Sequence, residues 1–290
     1  MTSPHVWVND GLRRADDAGV CVRDRGFTLG DGVFETLRVR DRTLLDLTAH
    51  LRRLRKGAAL LYVGPVPSDA DLLSAALMVL EANGLRDAAL RITVSRGTPR
   101  ERGLLPDPDA APTLVLDAYP FTSYPGELYA RGMRLATVRE RRNEHSIVSR
   151  AKTLSYLAQV VARTEAAERG CDEALLLNTA GGIACASAAN VFLVLNGVLV
   201  TPPTDCGALS GIVRGVVLDR LAAVIGVTVE ERPIAPSEAL AAEEILLTSS
   251  LLGMMPATML DARPVSGGIP APTAAALSEA LEAYWSAQSV

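Results

Sequence analysis

The sequence predicts an α+β protein of two domains, and three observations support this. The chain has 290 residues, of which 49% are apolar, enough for a large core. Strand-like and helix-like segments do not alternate regularly, which favours mixed or antiparallel sheets in both halves. The turn-forming stretch "PFTSYPGELY" separates the halves. We therefore predict a small N-terminal α/β domain over 1–119, a linker over 120–129, and a larger C-terminal domain with a mixed or antiparallel β core over 130–290.

The first half contains short strands, a turn-rich stretch and two helices. Apolar residues recur at spacings of four and three from Leu47 to Leu61, which predicts an amphipathic helix. Runs rich in β-branched residues between turn formers predict the strands. The predicted elements are strands at 6–10, 18–22, 33–39 and 43–47, turns over 23–32, helices at 47–61 and 69–83, and strands at 89–97 and 113–119.

The second half reads as a sheet with helices between its strands. An Asn-Gly pair inside "VFLVLNGVLVTP" predicts a tight hairpin. Ser210 followed by Gly211 predicts the start of a helix. The predicted elements are strands at 132–138, 173–178, 227–231, 244–249 and 255–260, a hairpin at 191–202, helices at 153–169 and from 211 onward, and a C-terminal helix.

Composition excludes several classes of function. The net charge is −4 and no basic block stands out, so no nucleic-acid partner is expected. No segment approaches a membrane span, and the N-terminus lacks the pattern of a signal peptide. Three unpaired histidines argue against a metal site. The cysteines are far apart without a CxxC pair, which argues against disulfides and zinc and favours a reducing, cytoplasmic location. They are Cys21, Cys171, Cys185 and Cys206.

The strand "VFETLRV" carries an unusual glutamate. Alternation puts Phe34, Thr36 and Arg38 on one face and Glu35 among apolar residues on the other. A carboxylate there requires a buried partner or a functional reason. On the following helix we expect His50 to be packed and hydrogen-bonded, whereas Arg53 either extends along the boundary of the core or binds an anion.

Lys152 is one of only two lysines in the chain, with Lys56. Arginine supplies the other fixed positive charges, and an arginine cannot act as a neutral amine nucleophile. Lys152 is therefore either a surface lysine at a helix start or a reactive amine. Two further stretches are candidates for holding a phosphate: the free amides that follow Ser210, and the hydroxyls of Thr248, Ser249 and Ser250 at a strand end. Each of these patterns is also common in proteins that bind nothing.

Several fragments, in chain order, resemble the class IV aminotransferases, which are fold-type IV enzymes of pyridoxal 5′-phosphate (PLP). The resemblance covers about 5–262. The fragments are "DRGFTLGDGVFETLRV", "HLRRL", "KTLSYLAQVVARTEAAERGCDEALLLN", "SAANVFLVLNGVLVTP", "LSGIVRG" and "EEILLTSSLLGMMP". The family includes branched-chain and D-amino acid aminotransferases and 4-amino-4-deoxychorismate lyase.

The resemblance implies a role for each of these residues. Lys152 would form the Schiff base with PLP and move the substrate proton. Arg53, in the "HLxRL" pattern, would bind the phosphate. The other phosphate contacts fall on the amides of Ile212 and Val213 and on the hydroxyls of Ser249 and Ser250. Val213 stands where the family usually has threonine. Tyr156 is offset by one residue from a family tyrosine that reaches the cofactor.

One departure from the family pattern affects the expected reaction. A glutamate five residues before the asparagine of "SAAN" pairs with the PLP ring nitrogen in the family, and Cys185 stands at that position here. A neutral thiol does not keep that nitrogen protonated as a carboxylate does. This favours β-elimination over transamination, unless Glu173 or Glu35 supplies the missing carboxylate or Cys185 is simply a small buried residue.

Two further features point to the lyase branch. Thr36 stands where that branch commonly has threonine near the reacting centre. The loop "SRGTPRERGLLP" resembles its RG…RG loop, and Arg38, Arg96, Arg100 and Arg102 are candidate clamps for substrate carboxylates.

We therefore predict a homodimeric enzyme, acting on an amino-carboxylate substrate, that removes pyruvate from 4-amino-4-deoxychorismate to give 4-aminobenzoate for folate biosynthesis. An aminotransferase acting on D- or branched-chain amino acids, or a catalytically silent PLP-binding relative, are the alternatives.

Overall fold

The computed structural model describes residues 3–288. The chain divides into two compact units. The first comprises the described residues up to Thr122 together with Ala151–Tyr156, and the second comprises Ser123–Arg150 and the described residues from Leu157 onward. The short segment Ala151–Tyr156, which contains Lys152, is thus grouped with the first unit, although our sequence division places it in the C-terminal domain. The limits of the predicted domains and linker stay a prediction.

The first unit is a six-stranded antiparallel sheet with two long helices. The strand order is β2-β1-β6-β5-β3-β4. Its elements are β1 (His5–Val8), β2 (Gly11–Arg14), α1 (Arg25–Leu29), β3 (Gly32–Arg40), β4 (Thr43–Leu44), α2 (Leu47–Leu60), α3 (Asp69–Ala82), β5 (Ala88–Ser95) and β6 (Thr113–Pro120).

Alternation along β3 separates the two faces of this sheet as predicted. Val33, Leu37 and Val39 are at most 1% exposed and belong to one core with the apolar faces of α2 and α3. The opposite face carries Phe34 and Thr36. One side of the sheet is therefore covered by helices, and the other carries side chains that can do chemistry.

The second unit is built on a nine-stranded mixed sheet of order β12-β11-β10-β13-β14-β7-β8-β9, with β15 paired to β14. A mixed sheet agrees with the prediction. Its elements are α4 (Gly126–Arg131), β7 (Met133–Arg142), α5 (Ile147–Arg150), α6 (Leu157–Glu168), β8 (Glu173–Asn178), β9 (Ile183–Ala186), β10 (Asn190–Leu195), β11 (Val198–Thr201), α7 (Ile212–Val216), α8 (Ala222–Val224), β12 (Val229–Glu231), α9 (Pro236–Leu240), β13 (Glu244–Ser249), β14 (Gly253–Leu260), β15 (Arg263–Pro264) and α10 (Pro272–Ser286). A π-helical turn, Val217–Leu221, joins α7 to α8.

Two predictions near the N-terminus are wrong. Residues 18–22 form no strand, because Val20 and Val22 are exposed and have no neighbouring strand to pair with. The stretch predicted as turns contains α1, whose N-cap residue Asp24 accepts a hydrogen bond from the Gly26 amide at 2.7 Å. A side-chain cap can thus begin a helix too short to show periodicity.

Three predicted elements begin or end elsewhere. The predicted strand 43–47 is a strand only at Thr43–Leu44. The helix predicted over 153–169 starts at Leu157, because 152–154 hydrogen-bond to β3 instead. The N-cap residue of α7 is Gly211 and not Ser210, and no side chain caps this helix start.

Among the residues described, no helix has the length and apolar character needed to cross a membrane.

Candidate active site

Lys152 lies in an extended segment beside β3. The Phe34 amide donates to the Lys152 carbonyl at 2.9 Å, and the Leu154 amide donates to the Gly32 carbonyl at 3.0 Å. The Lys152 amine lies 4.3 Å from the centre of the Phe34 ring and 5.4 Å from that of Tyr156. This lysine is therefore half-buried between aromatic rings, and it is not a solvated charge at a helix start.

Arg91 extends the same face of the sheet and was missed by the sequence reasoning. It pairs with Thr36 across β5 and β3, and its guanidinium carbon lies 3.7 Å from the centre of the Phe34 ring. Burial lowers the pKa of Arg91. Strand alternation in "LRITV" already separates Arg91 from the core residues Leu90 and Ile92, so the signal was present in the sequence. Lys152 and Arg91 thus both contact one ring.

Glu35 has the buried partners that its position requires. Its carboxylate is fully buried and accepts hydrogen bonds from the Arg53 Nε and Nη2 atoms and pairs with His50 Nδ1, each at 2.7 Å. Burial acts to raise the pKa of Glu35, but hydrogen bonds from Arg53 and His50 outweigh it and lower the pKa to about 2. The prediction that His50 is packed and hydrogen-bonded is confirmed. Arg53 is held in a fixed orientation.

Two of the predicted substrate-binding arginines hold parts of the first unit together. Arg96 pairs with Asp31 through Nε at 2.7 Å and Nη2 at 2.8 Å, and it donates to the carbonyls of Leu61 and Tyr62. Arg38 donates to the Thr122 carbonyl at 3.0 Å. For Arg96 this geometry favours a structural role over the predicted contact with substrate.

The other loop arginines border a cavity of about 780 Å³ within the first unit. They lie on residues 96–112, which connect β5 to β6 and which we name the arginine loop. Arg100 forms ion pairs with Asp107 and Asp109 of the same loop and keeps 70% of its side chain exposed. Arg102 lines the cavity and is exposed. The cavity therefore combines positive charge with apolar walls.

Cys185 is buried in the second unit, where it pairs with Leu176 across β9 and β8. Burial raises the pKa of its thiol, and the nearby charge of Arg142 offsets this only in part. Cys185 is therefore a neutral thiol at neutral pH.

Glu35 and Glu173 were the candidates to supply the carboxylate that is missing at position 185. In both, the carboxylate oxygens already have hydrogen-bond partners. Both oxygens of Glu35 are occupied by Arg53 and His50. Glu173 is 4% exposed and forms an ion pair with Arg163, while its other oxygen accepts from the amides of Ala174 and Ser187 and from the Ser187 hydroxyl.

The start of α7 and the end of β13 both lie beside Asn190. Asn190 pairs with Thr248 across β10 and β13 and donates to the Leu209 carbonyl at 2.8 Å. A methyl group on Gly211 would lie 1.9 Å from Asn190 Oδ1, so only glycine allows this approach. The Thr248 hydroxyl is buried and finds no hydrogen-bond partner among residues 3–288. An anion supplied from outside would satisfy it.

The other predicted phosphate ligands are the chain neighbours of Gly211 and Thr248. Ile212 and Val213 are the first residues of α7, and the Val213 side chain is buried in the core. Ser249 and Ser250 follow Thr248, and the Ser249 hydroxyl accepts from the Leu252 amide at 3.1 Å. The candidate residues therefore fall into two sets. The first unit holds Lys152, Thr36, Arg38, Arg53, Arg96, Arg100 and Arg102, and the second holds Cys185, Ile212, Val213, Ser249 and Ser250.

Comparison with known sequences identifies relatives along almost the whole chain. The family described as amino-transferase class IV matches residues 32–260. A Methanocaldococcus jannaschii protein, provisionally named a branched-chain-amino-acid aminotransferase, is 34% identical over 90% of this chain and 89% of its own. The D-alanine aminotransferase of Bacillus licheniformis is 29% identical over 96% and 95%.

Solved structures share the fold. The branched-chain amino acid aminotransferase of Escherichia coli superposes with a TM-score of 0.93 at 25% identity, covering 99% of this chain and 96% of that one. The 4-amino-4-deoxychorismate lyase of Pseudomonas aeruginosa gives a TM-score of 0.84 at 33% identity over 96% and 98%. These likenesses confirm the predicted fold.

Proposed function

The chain belongs to the class IV aminotransferase family, whose enzymes use PLP, and from that premise we propose that it is a lyase acting on 4-amino-4-deoxychorismate. The products would be pyruvate and 4-aminobenzoate. The assignment of the chain as a PLP-dependent enzyme follows from the family, whereas the specific reaction is our proposal.

The residues present fit the cofactor. The buried Thr248 hydroxyl has no hydrogen-bond partner among residues 3–288, and a phosphate oxygen would accept from it. We propose that the amides of Ile212 and Val213, the hydroxyls of Ser249 and Ser250, and the Arg53 guanidinium bind the phosphate. We propose that Lys152 binds PLP through its amine.

The proposal of elimination rather than transamination depends on Cys185. PLP, when bound, supplies an electron sink for the amino-bearing carbon of the substrate. If Cys185 faces the ring nitrogen, as the resemblance implies, its neutral thiol would not keep a proton on that nitrogen as a carboxylate would. Because Glu35 and Glu173 are both occupied by other donors, neither replaces that carboxylate. The weaker withdrawal of electrons favours a reaction in which a leaving group departs as the proton does.

The other residues then have defined roles. We propose that the Lys152 amine takes the proton from the amino-bearing ring carbon of the substrate. The ether C–O bond breaks, and enolpyruvate leaves with the bonding electron pair and takes up one proton to become pyruvate. This proton balances the one that Lys152 removes, and the remaining ring is aromatic. Thr36 lies on the same sheet face as the Phe34 ring that Lys152 contacts, which supports its predicted place near the reacting centre. Arg102 and Arg38 are proposed as clamps for the two substrate carboxylates.

An aminotransferase is the second candidate. It is favoured by the relatives, since the two sequence matches described above bear aminotransferase names. In that case an amino donor would be a D-amino acid or a branched-chain amino acid, and Arg91 together with Lys152 would face its carboxylate.

The visible absorption spectrum of the PLP-loaded protein separates these functions. We expect the cofactor band to persist through a panel of D- and L-amino acids, and we expect 4-aminobenzoate and pyruvate to form when aminodeoxychorismate is added. Conversion of the band to that of pyridoxamine phosphate by any amino acid would make aminotransferase the leading account. Persistence of the band with no product would refute the lyase proposal.

Replacement of Cys185 tests whether its neutral thiol decides between elimination and transamination. We expect Cys185→Glu to gain transamination with at least one amino acid and to lose lyase activity, whereas Cys185→Ser, which stays neutral, should keep the wild-type preference. If Cys185→Glu behaves as the wild type, the thiol does not decide the reaction.

We also propose that the enzyme is a homodimer. Leu157, Val160 and Val161 form an exposed apolar stripe on α6, with 74%, 56% and 49% exposure. A monomer by sedimentation would contradict this proposal. A cytoplasmic location and a place in folate biosynthesis stay predictions.

A further inference from the structure

The arginine loop is long, and its tip lies outside the core. Residues 96–112 contain no helix or strand, and loops of this length inside compact domains are usually functional or disordered. We call residues 103–105, at this tip, the crown of the loop. Leu104 and Leu105 in the crown are 82% and 88% exposed, so burial of apolar side chains does not hold the crown in place. A different interaction must order it.

Arg25 supplies that interaction. Its side chain is 5% exposed, although it belongs to the short surface helix α1. Nη1 donates to the Gly103 carbonyl at 2.8 Å, and Nη2 donates to the Leu104 carbonyl at 3.0 Å. Nε donates to Asp31 at 2.7 Å. One buried guanidinium thus ties the crown of the loop to α1 and to a carboxylate.

Asp31 fixes Arg25 in turn. Its carboxylate also accepts from Arg96 at the beginning of the arginine loop. Burial acts to raise the pKa of Asp31, but hydrogen bonds from Arg96 and Arg25 outweigh it, and the pKa lies below its ordinary value. The carboxylate therefore stays ionised, and it connects the base of the loop to its crown through two arginines.

The position of Arg25 suits a role in loop conformation more than in overall stability. The buried core of the first unit contains no residue of α1 or of the arginine loop. Arg102 directly precedes Gly103, whose carbonyl Arg25 holds, so the direction of the Arg102 side chain depends on this anchor. Ordering a binding loop before the ligand arrives lowers the entropy cost of binding.

We infer that Arg25 is a positioning residue, which holds the arginine loop in the conformation that presents Arg102 to a substrate carboxylate. This inference rests on the proposed function, in which the loop clamps a dicarboxylate. It concerns affinity for substrate and not the chemical step, because Arg25 is committed to two backbone carbonyls and Asp31.

The chain offers a control with the same hydrogen-bond pattern in a more exposed place, since the Arg55 side chain is 37% exposed and that of Arg25 7%. Arg55 also joins one aspartate, Asp69, to two consecutive loop carbonyls, those of Val66 and Pro67. It belongs to the same unit but ties a different loop. Arg25→Lys and Arg55→Lys each keep the charge and remove the planar fork that spans three acceptors.

The experiment compares Arg25→Lys, Arg55→Lys and the wild type as PLP-loaded full-length proteins. Hydrogen exchange by mass spectrometry reports loop order, and steady-state kinetics with aminodeoxychorismate reports KM and kcat separately. We expect Arg25→Lys to increase exchange over 98–105 and to raise KM about tenfold, with kcat within twofold of wild type. Arg55→Lys should change neither that loop nor KM. A tenfold rise corresponds to about 1.4 kcal/mol.

Each other outcome overturns the inference in a recognisable way. If the loop tip of the wild-type protein exchanges hydrogen as fast as an unstructured peptide, the inference is overturned without any variant. Unchanged hydrogen exchange of the loop in Arg25→Lys also overturns it. Faster loop exchange with unchanged KM overturns the positioning role if Arg102→Gln still raises KM. If Arg102→Gln also leaves KM unchanged, the clamp of the proposed function has failed, and the inference fails with it.

Discussion

Replacing Glu35 by glutamine tests the buried network of the first unit. The carboxylate lies among three donor atoms, the Arg53 Nε and Nη2 and the His50 Nδ1, each 2.7 Å away. Glutamine keeps the shape but has a single acceptor oxygen, and its amide hydrogens would face a donor. The substitution also leaves the Arg53 guanidinium, whose side chain is 12% exposed, without its counter-charge.

Two independent estimates give the size of the effect. Lowering the pKa of Glu35 from 4.5 to about 2 corresponds to roughly 3 kcal/mol of stabilisation of the folded state at neutral pH. Breaking a buried ion pair by removing one partner typically costs about 3–5 kcal/mol. We therefore expect Glu35→Gln to lower the free energy of unfolding by roughly 3 kcal/mol, a large part of the stability of a typical domain.

The pH dependence has a definite sign. Because the pKa of Glu35 is lower in the folded state, its contribution is complete above the unfolded value of 4.5 and is lost as pH falls towards 2. The wild type should therefore lose stability over this interval, and Glu35→Gln should lack that part of the loss.

Urea unfolding measures both effects. The chain has two tryptophans, Trp7 in the first unit and Trp285 in the second, so a Trp285→Phe background makes fluorescence report the first unit alone. Asp69→Asn is the control, since the Arg55–Asp69 pair is largely exposed and should contribute less than about 1 kcal/mol. If Glu35→Gln lowers the free energy of unfolding by less than about 1 kcal/mol, or if its stability falls with acid as that of the wild type does, the buried ion pair of Glu35 does not stabilise the fold as calculated.

Two further predictions concern single side chains. Cys21 is exposed and its pKa is lowered, chiefly by a hydrogen bond from the Arg23 amide, whereas burial raises the pKa of Cys185. Iodoacetamide should therefore modify Cys21 before Cys185. Equal rates of modification of the two thiols, measured by peptide mass spectrometry, would contradict this prediction. Gly211→Ala should weaken PLP binding at least tenfold and cost about 1–3 kcal/mol, because the new methyl meets Asn190 at 1.9 Å, whereas Gly215→Ala, with open space around it, should bind PLP as the wild type does in a fluorescence titration.

Some elements depended on local pattern alone. Alternation in β3 separates the core face from the face carrying Phe34 and Thr36 without any other part of the chain. The helix α2 follows from its apolar spacing. The helix start at 157 was misplaced because the competing hydrogen bonds come from another part of the chain. Residues 152–154 bond to β3, and this backbone pairing replaces the first turn of the predicted helix.

Composition and local periodicity were sufficient to show which residues are unusual. The scarcity of lysine indicated Lys152, and the spacing from Asn190 indicated Cys185. Strand alternation predicted that Glu35 faces apolar residues. These are statements about composition and local periodicity, and they need no knowledge of which strands meet.

The contacts of these residues, in contrast, follow from the way distant parts of the chain pack together. Glu173 is occupied by Arg163, and Arg91 lies over the ring that Lys152 also contacts. Arg25 reaches loop carbonyls 78 and 79 residues away. A side chain and its partner at such separations are brought together by the packing of whole strands and helices, and no period of two or 3.6 residues carries that information.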